Sequence, residues 1–324
     1  MKGASLSFAL LVTVGICGAA KPTDSCFALE SYTVPVEQPE GKRWVLHPQS
    51  DEFNYTYEPT NELTTFGGKW RNYYHGRWSG PTPTLWQYDH VRVRDGFLEI
   101  HTSRPKGAKM MNVPIKKSGD VVQRQATYTG CITGVKQRVK YPAYIEAYAK
   151  IANSTMASNV WMLSPDDTQE IDIIEAYGAD RDNGGYGADR IHISHHVFIR
   201  KPFTDYQPQD PGTWHKDGKG TIWREGFHRV GVYWRDPLHL EYYVDGVKVR
   251  TVTGLDIIDP KNHTTDAAYP SMRGLYKELD VIINMEDQGW RAAMEPSLSP
   301  TDEELQETEN QIFKVDWIRI YTLE

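Results

Sequence analysis

The chain has 324 residues, 39% hydrophobic, 24% charged and 12% aromatic, with 10 Trp, 19 Tyr, 9 Phe and 3 Cys. This composition excludes wholesale disorder, and a formal net charge of −7 excludes a generic nucleic-acid binder. Past the extreme N-terminus no run of about 18 apolar residues offers a membrane span, and the length suits two domains or one large β-sandwich or barrel. Lys2, the apolar stretch Leu6 to Cys17 and the small residues Gly18, Ala19 and Ala20 read as a secretory signal peptide over 1–20, cleaved after Ala20. Ile16 before Cys17 makes lipoprotein anchoring a minor alternative, so the protein is expected to be secreted, periplasmic or at the cell surface. Residues 21–41 form a Pro-containing lead-in, either a tether or a strand on the domain. The mature chain keeps Cys26 and Cys131, which could pair, although Cys131 sits in an apolar run that equally suits a buried thiol. Asn54, Asn153 and Asn262 head glycosylation sequons that matter only in a eukaryotic host.

From residue 42 to 324 the pattern is one of short strands and turns. Asp95-Gly96 within 91–100 and Asp245-Gly246 within 240–252 mark hairpins. Further strands are predicted at 131–139, 143–151, 158–163, 169–176, 190–198, 227–235, 279–285 and 312–321. Residues 105–126 read as a long Lys-rich loop, and 300–309 as a short acidic helix or turn. With no βα alternation and no composition break, the fold class is all-β, a sandwich in a single domain.

The segment Thr168–Gly178 carries Glu170, Asp172 and Glu175 among Ile171, Ile173 and Ile174. Strand alternation puts Glu170 and Asp172 on one face but sends Glu175 into the apolar side, which a carboxylate does not tolerate. A β-bulge at Ile173 or Ile174 returns Glu175 to the face of the other two. Three readings follow. A retaining glycosidase needs two carboxyls about 5–5.5 Å apart, with Asp172 hydrogen-bonding one Glu and raising the pKa of the other. A carboxylate cluster for a divalent ion and an edge strand with solvated acids are the alternatives.

The stretch WMLSPDDTQEIDIIEAYGAD (161–180) resembles the catalytic segment of glycoside hydrolase family 16 in its bulged E-x-D-x-x-E form. Residues 129–150, 190–208, 227–246, INMEDQGW (283–290) and VDWIRIY (315–321) extend the resemblance to the β-agarases and β-porphyranases of that family. It implies a β-jelly roll of two antiparallel sheets with a concave cleft, and hydrolysis of internal β-1,4 galactosidic bonds with retention. Glu170 would be the nucleophile, Asp172 its partner and Glu175 the acid/base. It also places Trp161 against the sugar beside the scissile bond and the Trp70, Trp78 and Trp86 region near the glycone side, while Trp234 and Trp317 suit strand cores.

His192 and His196 share a strand face and His195 points away, so one of the pair is expected to hold a substrate hydroxyl. Zinc binding by these histidines is a weak reading, since the spacing suits helices. Glu286, beside Asp287 and Gln288, is a further sugar-binding candidate or a loop cap. Arg77 and Arg200 are cleft cations that a sulfated substrate would suit. The resemblance also implies a structural Ca2+ on the convex face, held by carbonyls near Glu52 and Gly96 together with Asp316. No cofactor is expected for catalysis. The expected partner is red-algal galactan, agarose before porphyran, acted on by a monomer; a non-catalytic carbohydrate-binding protein is the rival class.

Overall fold

The computed structural model describes residues 33–116, 118–181, 185–261, 271–306, 309 and 311–324. The expected signal peptide, Cys26 and the Asn262 sequon lie outside the described residues. Two antiparallel sheets face each other. The outer sheet runs Val247–Thr253, His239–Val244, His228–Asp236, Ala143–Lys150, Phe313–Leu323, Phe97–Ile100 and Val91–Arg94, with Trp44–Leu46 also pairing to Phe313–Leu323. The inner sheet runs Phe203–Tyr206, Ile191–Arg200, Gln169–Ala176, Ala157–Leu163, Asp280–Glu286, Cys131–Gly134, Trp70–Arg71 and Thr65–Phe66. This is the sandwich that the strand spacing indicates and the jelly roll that the family resemblance implies. Among the described residues no helix is long and apolar enough to cross a membrane.

The core between the sheets is built by period-two alternation. Ile145, Val232, Ile318 and Ile320 on the outer sheet meet Val160, Ile171, Ile193 and Ile283 on the inner one, all essentially without solvent exposure. Trp234 belongs to this core, as expected. Trp317 is buried on the other face of its strand, tilted against Tyr148 and under the Arg319 guanidinium at 4.3 Å. Trp70, which the sequence grouped with the cleft tryptophans, lies in the core, and its Nε1 donates to buried Asp51 at 2.7 Å. Val34 of the lead-in nests among Tyr144, Tyr233, Tyr243 and Tyr321 on the outer sheet without forming a strand.

Both Asp-Gly hairpins form, with Asp95 at φ 53° and Asp245 at φ 48°, the left-handed turn conformations that this dipeptide tolerates. Residues 105–126 are not a loop. Met110–Pro114 pairs with Val121–Gln125 as a two-stranded ribbon. Within it only Val113 is fully buried, so no apolar stripe announces it. Arg124 fastens the ribbon, donating to the Ala292 carbonyl at 2.7 Å.

Candidate active site

The catalytic strand Gln169–Ala176 departs from regular pairing at one point. Val160 faces Ile174 while Trp161 faces Asp172, and on the other side Asp172 faces Ser194 while Glu175 faces His192. Ile173 is the additional residue, so Ile171, Ile173, Ile174 and Ala176 all enter the core while Glu170, Asp172 and Glu175 open onto the concave face. The bulge inferred from the spacing is there, and its cause is the exclusion of a carboxylate from the apolar side. The acids line an open cleft of about 440 Å³.

Each acid has a distinct environment. Glu175 accepts hydrogen bonds from the Tyr177 hydroxyl at 2.5 Å, His192 Nδ1 at 2.7 Å and Gln288 Nε2 at 3.2 Å. Burial alone would raise its pKa, but the His192 charge and the His192 and Tyr177 hydrogen bonds outweigh it and hold Glu175 down at about 2. Burial, reinforced by Asp172, pushes Glu170 well above the ordinary carboxylate range. Burial also lifts Asp172 to about 6. Asp172 makes no hydrogen bond to either Glu, contrary to the expectation: its Oδ2 is buried without a hydrogen-bond partner, and His196 Nε2 is 3.6 Å away. His196 Nδ1 is paired with Asp205 at 2.7 Å. Against the effect of burial, Asp205, Glu170 and Asp172 together raise His196 to about 10. The surroundings of Glu175 thus favour its charged form, while burial disfavours charge on Glu170 and Asp172.

Around the acids, Trp161 donates from Nε1 to Asn284 Oδ1 at 3.0 Å, and Asn284 Nδ2 donates to Glu286 at 2.7 Å. One amide thus orients the indole on one strand and the carboxyl at the end of the next. Burial raises Glu286 to about 7, against the Asn284 hydrogen bond. Its neighbour Asp287 takes the loop-capping part: its Oδ2 accepts from Thr127 at 3.0 Å and its Oδ1 from Ser299 at 3.1 Å. His192 and His196 both line the cleft, and His195 points into the interior toward the Ile258 carbonyl at 3.0 Å. Trp78 lines the cleft with half its surface open.

Trp86 does not line the cleft. It is buried, donates to the Met285 carbonyl at 3.0 Å, stacks on Tyr74 and meets Trp78 edge-on at 5.5 Å. Neither arginine lines the cleft. Arg77 sits over the Tyr73 ring at 5.4 Å, and Arg200 over Phe198 at 4.7 Å while bonding to the Asp167 carbonyl. An exposed arginine beside an aromatic ring finds its partner on the surface, which residue type alone does not reveal.

Several cleft residues escaped the sequence reading. Tyr186, Trp214 and Trp290 form an aromatic wall on the side away from Trp161, with Tyr186–Trp214 centroids 4.8 Å apart. Asn159 lies two residues before Trp161 on the same face, and its buried Oδ1 has no partner among the described residues. Alternation counted back from Trp161 would have found it.

The sequence profile of a family described as β-porphyranase A–D, glycoside hydrolase 16 domain, matches residues 44–323. A β-agarase of Phocaeicola plebeius is 58% identical over 323 residues, covering 99% of this chain and 96% of that protein. β-Agarase B of Zobellia galactanivorans is 49% identical over 303 residues, covering 89% and 80%. A crystal structure of inactivated mutant β-agarase B in complex with agaro-octaose superposes with a TM-score of 0.80 at 47% identity, over 91% of this chain and 99% of that chain. A bulged three-acid strand flanked by aromatic walls, carried on this sandwich and matched over its whole length, makes the chain a member of glycoside hydrolase family 16 and a β-agarase-like glycoside hydrolase.

Proposed function

We propose that the protein is an exported, endo-acting β-agarase that cleaves internal β-1,4 galactosidic bonds of agarose with retention, releasing neoagaro-oligosaccharides. The observation that carries this reading is the pair Glu170 and Glu175, turned onto one face by the Ile173 bulge and set in an open, aromatic-lined cleft. Trp161 and Trp78 offer flat faces to galactose rings. An open groove admits the middle of a chain, which supports internal cleavage. Glu170 attacks the anomeric carbon while Glu175 protonates the departing glycosidic oxygen, giving a covalent glycosyl-enzyme and a free sugar hydroxyl. Glu175 then takes a proton from water, whose oxygen displaces Glu170 and restores the β configuration.

Burial opposes charge on Glu170, and the His192 and Tyr177 hydrogen bonds oppose a proton on Glu175, so bound substrate acts on both: it places an acceptor oxygen against Glu175 and positive charge developing at the anomeric carbon against Glu170.

Agarose is favoured over porphyran by the charge of the cleft. Among its described lining residues Lys116 is the only lysine or arginine, against Glu170, Asp172, Glu175, Asp205 and Glu286. A sulfate ester would find no arginine fork among these described residues. The deciding experiment sizes the products from agarose, native porphyran and desulfated porphyran. Cleavage confined to the sulfated polymer would make the enzyme a porphyranase. Glu170→Ser with activity within tenfold of the parent would remove the nucleophile from the scheme.

Three further expectations belong to the same proposal: export through the N-terminal segment, action as a monomer, and a structural Ca2+ on the convex side. The pairing pattern fits an oxygen-donor set there. Asp51 faces Ile318 and Leu98 faces Val315, while a register shift on Phe313–Leu323 makes Asp316 the additional residue of that strand. On this register the expected donors are the main chain of 52–53, the Gly96 turn and Asp316. Glu52 gives both carboxylate oxygens to Arg319 at 2.8 and 2.9 Å, so its contribution would be its carbonyl.

A further inference from the structure

We propose that Glu170, Asp172 and His196 form a binding site for one divalent ion of intermediate softness, with Zn2+ as the representative, and that this ion excludes substrate when bound. Their potential ligand atoms all lie within 4.8 Å of one another. Donors about 2.1 Å from a tetrahedral ion are about 3.4 Å apart. The His196 Nε2 to Asp172 Oδ2 separation of 3.6 Å is already close to this, and the 3.9 Å to Glu170 Oε1 needs about half an ångström of closure.

Three features distinguish this trio from a mere accumulation of acids. First, His196 Nδ1 is taken by Asp205 at 2.7 Å, which directs Nε2 at the two carboxylates. A carboxylate holding the far nitrogen of a histidine is the usual outer support of a metal-bound imidazole, fixing its tautomer and orientation. Phe198, stacked 5.4 Å from the imidazole at 18°, fixes the ring plane as well. Second, Asp172 is 93% buried by its 7% exposure, and its Oδ2, aimed at His196, has no hydrogen-bond partner. A buried carboxylate oxygen whose ionic neighbour stays beyond hydrogen-bond reach is incompletely satisfied, and a metal ion that displaces the His196 proton would bond to both. Third, the donor set is one nitrogen and two oxygens with the open cleft as a fourth position, where water completes a tetrahedron. Ca2+ would want six to eight oxygens and Mg2+ a near-octahedral shell, so neither suits the site. Two carboxylates offset the charge of a divalent ion. Glu175 and His192 are joined to each other at 2.7 Å and stay outside the set.

An ion seated here occupies the oxygen with which Glu170 would attack. The binding claim stands on the geometry alone, while the inhibition claim rests on the agarase reading, and the two are measured separately. Untagged full-length protein, stripped of metal, is titrated with Co2+ and followed by its visible absorption, then with Zn2+ by calorimetry. One ion per chain is expected, with tetrahedral-type Co2+ bands. Asp205→Asn, which leaves all three ligands in place, should weaken binding about 10–100-fold. His196→Asn should abolish the bands, and His192→Asn should keep them. In the activity arm, Zn2+ should inhibit cleavage of a soluble agaro-oligosaccharide competitively, with EDTA restoring the rate. Absence of stoichiometric Co2+ binding, or bands that survive His196→Asn, would overturn the site. Metal binding by a protein that leaves agarose intact would uphold the site and sink the agarase reading, whereas cleavage without binding would do the opposite.

Discussion

Replacing Tyr177 with Phe isolates the effect of one hydroxyl on the proposed acid/base. The hydroxyl donates to Glu175 at 2.5 Å, and the ring lies under the Arg291 guanidinium at 3.8 Å. Phe keeps the ring and its stacking and opens no sizeable cavity. A hydrogen bond to a charged group contributes about 1.5–3 kcal/mol. At 1.36 kcal/mol per pKa unit, its loss corresponds to a rise of about 1–2 units. The sign follows from the donor favouring the ionised form: without it, Glu175 takes up a proton more readily. His192 and Gln288 remain, so Glu175 should move from about 2 to about 3–4 and no further. The assay is kcat/KM on a soluble agaro-oligosaccharide from acid to neutral pH, with the Glu175 carboxyl followed in parallel by 13C NMR. The acid limb should shift upward by that amount in both readouts. A limb that stays in place, or one that moves down, would refute the account of how Glu175 keeps its charge.

Glu286 binds its proton more tightly in the folded chain, at about 7, than in the unfolded one, so stability falls as pH rises from about 4.5 to about 7. Glu286→Gln removes that slope, worth at most about 3 kcal/mol, and its Tm advantage over the parent should widen by several degrees between pH 5 and 8. Trp78→Ala removes a half-open ring and should lower kcat/KM on agarose about 5–30-fold, the equivalent of about 1–2 kcal/mol, with circular-dichroism melting nearly unchanged. Chelation by EGTA should lower the Tm of the parent but not of Asp316→Ala; equal sensitivity of the two would place the ion elsewhere.

The elements legible from sequence were those where one face is buried and the other is not. The strand pairs around Asp95-Gly96 and Asp245-Gly246 and the bulge at Ile173 all follow from where side chains of each kind can go. The 110–125 ribbon stayed hidden because it buries almost nothing but Val113. The three acids were legible because no core strand tolerates them, but their charges were not. Glu175 is held ionised by Tyr177, two residues along, and by His192, on the next strand. The choice between Trp78 and Trp86 was likewise beyond the sequence. Both are tryptophans in one Gly- and Pro-rich stretch, and only the fold decides which one shields the other.

The Ile173 bulge is the one point in the catalytic strand where chain length can change without turning the acids over. Loss of that single codon would leave strict alternation, with Ile171, Ile174 and Ala176 still inward and Glu170, Asp172 and Glu175 still on the cleft face. The cross-strand partners would also be kept, Asp172 opposite Ser194 and Glu175 opposite His192, so what the extra residue governs is the local twist with which Glu175 is aimed. A one-residue deletion between Glu170 and Asp172 has no such refuge, because it would put those two carboxylates on opposite faces of the strand.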